Sequence, residues 1–421
     1  MTKLKIFLSY HKKSPIYKSE IFQPIQVGTA LNEQLDDCVY DDTGDNISEL
    51  NPYYCELTGH YWVLKNYLNN CDDDYVGFAH YRRLPDLCNI SDEDYPSVFG
   101  INYTESTELF NRLNSSDIMN TIEKYDVILP CSVYMYANTV NPKLRETEEH
   151  YNVYDHFKIE HKNDLADVLK DVITEYYGDY LLSLDRCFNS EKSHFYNIYI
   201  MKTSLLKSFL DWQFSVLQKV SDKIGGWNQD QYRRMAGFVG EMLINVWLGA
   251  HKDCKVGCVP IYMVDFEAEY IQKANSLHKL GLYKEEIEEL NNLLEITSDK
   301  FYVSSTILDI AILSEDEDVM SYLNRAREYA KSGEDYFKLA VSVQNMNKVD
   351  SDVVMELFKK ANELEKNRLY ADSYLLYAES THNLELIYSA WKNLLRFDLT
   401  EADLDKYNKF MNVYNVVNCK N

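Results

Sequence analysis

The 421-residue chain carries only 8 Pro and 14 Gly, which excludes a collagen-like or linker-like polypeptide. No window approaches eighteen apolar residues, so no transmembrane helix is expected. Its 9 Cys form no Cys-x-x-Cys pair between Cys38 and Cys419. Cys254 and Cys258 stand four apart with no second pair nearby, so no zinc-finger spacing is present, and the simplest compartment is a reducing cytoplasm. The stretch from Met1 to Tyr10 holds a short apolar run without a cleavage pattern and reads as a first strand, not a signal peptide. Positive charge is scarce: 43 Lys and Arg face 67 Asp and Glu, a net charge of −24. Such a surface repels phosphate backbones and gives no overall pull toward anionic lipid, so nucleic acid is not an expected partner.

Apolar residues make up 46% of the chain, enough for large cores, and about 150 residues per domain predicts two or three domains. The 35 Tyr suit cores with polar edges and sugar-binding clefts, though most should be packing residues. Residues 1–264 mix strand and helix signals. Lys5–Tyr10, Tyr75–His80, Tyr125–Pro130 and Phe195–Met201 read as strands, and 52–68 and 203–220 as helices. Alternation of this kind predicts an α/β sheet covered on both faces, with ligands at the carboxyl ends of the strands. From 265 to 421 there are no strand runs and no Pro, and charge alternates with helical period. Four helix–turn–helix units are expected near 266–297, 302–332, 335–366 and 370–397, with Ala274, Ala311, Ala340 and Ala371 recurring between them. The region resembles degenerate tetratricopeptide-like repeats, either a helical cap or a surface for a protein partner.

The densest chemistry lies between 41 and 83. Asp41-Asp42-Thr43-Gly44-Asp45-Asn46 should be a tight loop whose carboxylates either ligate a divalent cation or serve caps and turns. Asn51-Pro52 fits a helix start, and Glu56 on the following helix is a buried network member or a ligand-holding carboxylate. His80-Tyr81-Arg82-Arg83 follows a strand. Adjacent Arg residues point in different directions, so one of the two should face a cleft.

The order Gln26-Val27-Gly28, Asp42 to Ser48, Asn51, Tyr54-Cys55-Glu56-Leu57-Thr58, Tyr61-Trp62 with Lys65-Asn66, Gly77 and His80 to Arg83 resembles a known family. It is the bacterial glycosyltransferase family catalogued as domain of unknown function 4422, found in capsule, exopolysaccharide and glycoprotein glycan clusters. Tyr125 to Pro130, Asn197 to Lys202, and Arg234 with Gly237, Gly240-Glu241, Leu243 and Asn245 extend the resemblance over roughly residues 3–262. Ile198 and Tyr199 depart from the family's usual Asn-Met-Phe-Ile-Met-Lys. Met242 stands where the family usually has Arg. The resemblance implies a GT-A-like fold that binds a nucleotide sugar, with a hexosyl donor of galactose or galactofuranose type among the candidates. The acceptor would be a glycan, lipid-linked or protein-linked. Gln26, Val27, Gly28, Asp42, Thr43, Asp45, Asn46, Asn51, Glu56, Thr58, Trp62, His80, Arg82, Arg83, Asn197, Lys202 and Arg234 are the donor-site candidates.

Transfer from a nucleotide sugar requires neutralising the leaving diphosphate and deprotonating the acceptor. No Asp-x-Asp pair follows the strand at 125–130; Asp72-Asp73-Asp74 precedes a strand, and Asp185 stands alone. Metal-independent transfer is therefore expected, with Arg82 or Arg83, Arg234 and Lys202 replacing the cation; Asp42 and Asp45 are the alternative metal ligands. Glu241 is the candidate base of an inverting transfer, with an ion pair to Arg234 as its structural alternative. His80 and Asp230 are further catalytic candidates, and Trp227 and Tyr232 could stack on the acceptor. Two rival readings remain: an inactive interaction protein that binds a partner through its helices, and a phosphate-ester hydrolase using the Asp41–Asp45 loop. A cytoplasmic protein, peripheral at most at the inner face of the membrane, is expected.

Overall fold

The computed structural model describes residues 2–95, 97–113, 117–135, 151–161, 164–346 and 348–418; Cys419 lies outside them. The chain divides into two compact units, Met1–Phe266 and Glu267–Asn421.

The first unit is built on a mixed sheet. Its strands are β1 (Leu4–Tyr10), β2 (Phe22–Gln26), β3 (Val39–Tyr40), β4 (Tyr75–His80), β5 (Arg83–Pro85), β6 (Val98–Asn102), β7 (Val127–Pro130), β10 (Tyr199–Lys202), β11 (Val256–Val259) and β12 (Ile261–Asp265). A separate ribbon pairs β8 (Val133–Tyr134) with β9 (Lys192–Ser193). The central order is β11-β7-β10-β4-β1-β2-β3, and β12 joins β5 and β6 at the side. β1 runs parallel to β2 and β4, whereas β10 is antiparallel to both β4 and β7. The carboxyl ends of β1, β2, β4, β7 and β11 therefore share one edge with the start of β10.

β1 and β4 are apolar almost throughout because both faces are covered; every residue of β4 is buried. Gly77 permits a close approach of β10, since a Cβ there would lie 2.5 Å from Ile200 Cγ1 and 2.6 Å from the Tyr199 carbonyl. Of the expected helical stripe Leu206, Phe209, Leu210, Phe214 and Leu217, all but the half-buried Phe214 are buried on the helix Thr203–Ile224, which ends at left-handed Gly225. Each such side chain contributes about 1.5–3 kcal/mol of burial.

Two expected elements differ. The helix anticipated over 52–68 is broken into Asn51–Tyr54 and Leu57–Trp62, followed by a π turn over Val63–Tyr67. The break is at Cys55, at φ 52° and ψ −132°, where Asn51 Nδ2 donates to the Cys55 carbonyl at 2.8 Å. The strand anticipated over 195–201 begins only at Tyr199, because Tyr196 and Asn197 adopt positive φ of 79° and 50°.

The second unit is helical throughout its regular structure. Its helices pair as Lys300–Leu313 with Val319–Tyr329, Gly333–Val343 with Ser351–Leu364, and Arg368–Ser380 with Leu384–Leu394, and Phe266–Lys279 is tied to Tyr283–Ile296 through Lys273 to Glu289 and His278 to Glu286. A last helix spans Glu401–Asn418. The four recurring alanines are all buried in its interior, beside Leu290, Ile307, Phe358 and Trp391. Helix starts follow from local chemistry. Asp299, Asp350, Asn367 and Asn383 accept first-turn N–H groups, and Ser332 forms a capping box with Asp335.

Candidate active site

A cleft of about 340 Å³ opens in the first unit. Its polar lining includes Glu56, Arg83, His156, Glu160, His161, Arg234 and Glu241, and its apolar walls include Phe157, Phe195, Phe238 and Met242. Glu56 enters from the break after Cys55, Arg83 from the start of β5, and Tyr196 from the turn before β10. Glu241 comes from the helix Met235–Ala250 and Arg234 from its N-cap, at φ 64°. Of the seven non-glycine residues with positive φ among the described residues, Cys55, Tyr196 and Arg234 line the cleft, and Asn197 adjoins it. Strained backbone collected in this way is characteristic of functional sites.

Glu56 and Glu241 are held by neighbouring residues. Asn197 Nδ2 donates to Glu56 Oε1 at 2.9 Å and to the Gly237 carbonyl at 3.2 Å. The Tyr196 N–H donates to Glu241 Oε1 at 3.1 Å. Burial, reinforced by the nearby Glu56 carboxylate, pushes the Glu241 carboxyl up to about 8, against weaker opposition from Arg83, the Tyr196 N–H and Arg234. Burial, His156 and Arg234 likewise lower His161 to about 4, so it is neutral at pH 7.

The two guanidinium groups face aromatic rings. Arg83 lies 5.0 Å from the Tyr196 ring centroid, and Arg234 lies 5.1 Å from that of Phe238. Arg83 Nε is buried without a hydrogen-bond partner among the described residues. Neither Arg appears in an ion pair within the described part of this unit, so Arg234 does not close onto Glu241. The cleft thus combines three carboxylates, Glu56, Glu160 and Glu241, the last pushed up to about 8, with the guanidinium groups of Arg83 and Arg234.

The family model described as Domain of unknown function (DUF4422) matches residues 5–252, more than half of the chain. The chain belongs to the DUF4422 family. It is also similar to the solved apo structure of the WbbM bifunctional glycosyltransferase, with 28% identity and a TM-score of 0.53. That likeness covers 63% of this chain and 46% of the other, so the chain spans less than half of the length of that protein. No curated protein matches it.

In this DUF4422 chain the motif residues divide between the cleft and a buried scaffold. Asp41 is the scaffold's centre, and of the two roles expected for the loop carboxylates, cation ligand or turn acceptor, it takes the second. Its carboxylate accepts from Gly28 N (2.8 Å), Thr29 N (3.0 Å), Ser48 Oγ (2.6 Å) and Thr58 Oγ1 (2.6 Å). Gly28, at φ 69°, packs on Asn51, whose amide bonds to Thr58; a Cβ on Gly28 would meet Asn51 at 2.6 Å. Gln26 ties its amide to Glu33 O and Leu35 N, and Val27 bonds to the Tyr10 carbonyl.

The Asp42–Asn46 loop is tied back on itself. Asn46 Nδ2 donates to the Asp42 and Gly44 carbonyls, Trp62 Nε1 donates to Thr43 Oγ1, and Tyr61 donates to Asp45 Oδ1. A group of three side chains with atoms close enough to hold a metal ion lies elsewhere among the described residues, at Asp94, His194 and Cys258. Lys202 forms an ion pair with Asp126 at 2.6 Å and is not among the residues lining the cleft. His80 is buried at the end of β4, its Nδ1 accepting the Arg82 N–H, while Arg82 itself is exposed beside Tyr81. Trp227 is a core residue: it is 3% exposed, and its indole N–H donates to the Leu217 carbonyl. Tyr232 packs on its edge, and Asp230 is exposed in a short 3-10 turn outside the cleft lining.

Sequence reasoning did not reach His156, Phe157, Glu160 and His161, which the helix Val153–His161 presents to the cleft. The spacing of His156 and Glu160, one helical turn apart, was the available signal.

Proposed function

We propose that the chain is a glycosyltransferase that moves a hexosyl group from a nucleotide-diphosphate sugar to an acceptor hydroxyl, with inversion and with Glu241 as base. The observation that carries this reading is the meeting of Arg83, Arg234, Glu56 and Glu241 in one cleft. Family membership and the likeness to a bifunctional glycosyltransferase support it. Arg83 and Arg234 would bind the diphosphate and stabilise the charge that develops as it leaves, in place of a cation. Glu56, oriented by Asn197, would accept hydrogen bonds from donor-sugar hydroxyls. Glu241 would take the acceptor proton as the new glycosidic bond forms and the bond to the diphosphate breaks. A carboxyl near 8 suits this role, since its proton affinity is matched to the operating pH. Phe195, Tyr196 and Phe238 offer apolar faces for sugar rings.

A galactose or galactofuranose donor, and a glycan, lipid-linked or protein-linked acceptor on the cytoplasmic side of a membrane, are the candidates the family resemblance favours. The C-terminal helix pairs would act as tetratricopeptide-like repeats, as a cap or a partner surface. The deciding experiment is hydrolysis of a panel of nucleotide sugars, with calorimetric binding of the nucleoside diphosphates. Release of sugar from one donor, without stimulation by Mn²⁺ or Mg²⁺, is expected. A folded protein that binds no nucleoside diphosphate overturns the reading in favour of an interaction protein.

A further inference from the structure

The loop between β5 and β6, the residue that follows ribbon strand β9, and strand β11 bring Asp94, His194 and Cys258 together. One ligand-capable atom from each lies within 4.8 Å of the other two. We propose that these three residues form a binding site for a transition metal of the zinc class, separate from the Arg83, Arg234 and Glu241 cleft.

The surroundings of each residue support this assignment. His194 Nδ1 lies 2.7 Å from the Pro130 carbonyl. A carbonyl only accepts, so Nδ1 carries the hydrogen and Nε2 keeps the lone pair available to a cation. This is the outer hydrogen bond that commonly fixes a metal-binding imidazole. The peptide around His194 is clamped on both sides by Asn245, which accepts from His194 N at 3.0 Å and donates to His194 O at 3.1 Å. Ser132 orients the Asp94 carboxylate through its N–H at 2.6 Å and its hydroxyl at 2.5 Å. Cys258 is buried in β11, where its backbone exchanges two hydrogen bonds with Ser91, three residues before Asp94.

Donor chemistry selects the metal. One thiolate, one imidazole and one carboxylate suit Zn²⁺ or a similar borderline ion, whereas Mg²⁺ and Ca²⁺ prefer oxygen alone. Asp94 is exposed, so a fourth position is open to water. Binding would release the Cys258 thiol proton to solvent as the sulfur–metal bond forms. The ion would pin the β5–β6 loop to the carboxyl edge of the sheet, next to the 194–197 segment that shapes the cleft. The rival occupant is a proton, with the Cys258 thiol donating to Asp94.

The test uses the full chain, stripped by chelator dialysis and titrated with Zn²⁺ and, separately, Co²⁺. Metal content and the Co²⁺ spectrum are the readouts, so the outcome does not depend on sugar transfer. About one equivalent of Zn²⁺ per chain is expected, with a thiolate-to-Co²⁺ charge-transfer band and a metal-dependent rise in melting temperature. Asp94→Asn, His194→Ala and Cys258→Ser should each weaken binding by more than about tenfold, and Cys258→Ser should also lose the band. The Asp42→Asn/Asp45→Asn double variant should bind as wild type. Asp94→Asn, at an exposed position, keeps the test valid if a buried substitution unfolds the chain. Absence of stoichiometric binding by the wild type, equal binding by all three variants, or a Co²⁺ complex without the thiolate band would each overturn the proposal.

Discussion

Asn197 donates its side-chain amide to Glu56 Oε1 at 2.9 Å, joining residues 141 positions apart in the chain. Its φ of 50° puts the next residue back, Tyr196, in position to give its N–H to Glu241. One strained turn before β10 therefore orients Glu56 and Glu241. Asn tolerates the left-handed region better than most side chains, which makes it a suitable residue for that turn.

Glu241→Gln retains size and most hydrogen-bonding capacity but cannot take a proton. The single-turnover rate should fall by about 10² to 10⁴ while donor affinity changes little. In the wild type, kcat/KM should rise with pH through a limb near 8, and the variant should lack that limb. A stable variant with near-normal turnover removes Glu241 from the mechanism.

The same group makes stability depend on pH. An ordinary Glu titrates at about 4.3 in an unfolded chain, against about 8 for folded Glu241. Between these values the folded state binds more protons than the unfolded one. The Glu241 contribution to stability therefore falls as pH rises and is fully lost above about 8. Melting curves across this range should show the wild type losing ground to Glu241→Gln as pH increases. Parallel curves would show that Glu241 ionises normally.

Arg83→Ala and Arg234→Ala should each weaken nucleoside-diphosphate binding roughly tenfold to a hundredfold, equivalent to about 1.5–3 kcal/mol for one charge-assisted contact. Both contacts would serve one diphosphate, so the double variant should depart from additivity. Arg82→Ala, outside the residues that line the cleft, should bind nearly as wild type. Calorimetry on these four variants and the wild type decides this. Unchanged affinity in both single variants would move the anion site elsewhere.

Asp41→Ala leaves two backbone N–H groups and two hydroxyls in the interior without their acceptor. The loss should be at least about 3 kcal/mol, because each buried donor left unpaired costs about 1–3 kcal/mol. Thermal or urea unfolding measures it. A shift below about 1 kcal/mol would mean that water replaces the carboxylate.

The elements legible in the sequence are those whose signal is contiguous. β1 and β4 are short apolar runs, Thr203–Ile224 has a clear stripe, and the C-terminal helix pairs have caps and buried alanines at repeating intervals. The break at Cys55 was not legible, because a positive φ at a residue other than Gly has no local cause. The nearby Asn51 amide bonds to the Cys55 carbonyl, but the packing that settles the conformation comes from Gly237, more than 180 residues away. The short strands β11 and β12 were missed for a similar reason, since a few apolar residues become strands only through partners far along the chain.

The sequence by itself determined the α/β and helical characters of the two regions, the acidic surface, and the residue types suited to handling an anion and a proton. These depend on composition and local periodicity, which each segment carries with it. Only the tertiary structure decided which of those residues meet. It placed Arg83, Arg234, Glu56 and Glu241 in one cleft, gave Asp41 to the scaffold and Lys202 to Asp126, and gathered Asp94, His194 and Cys258 from three separate segments. The elevated proton affinity of Glu241 has the same origin: burial and the approach of Glu56 arise only when the strands and helices close on one another.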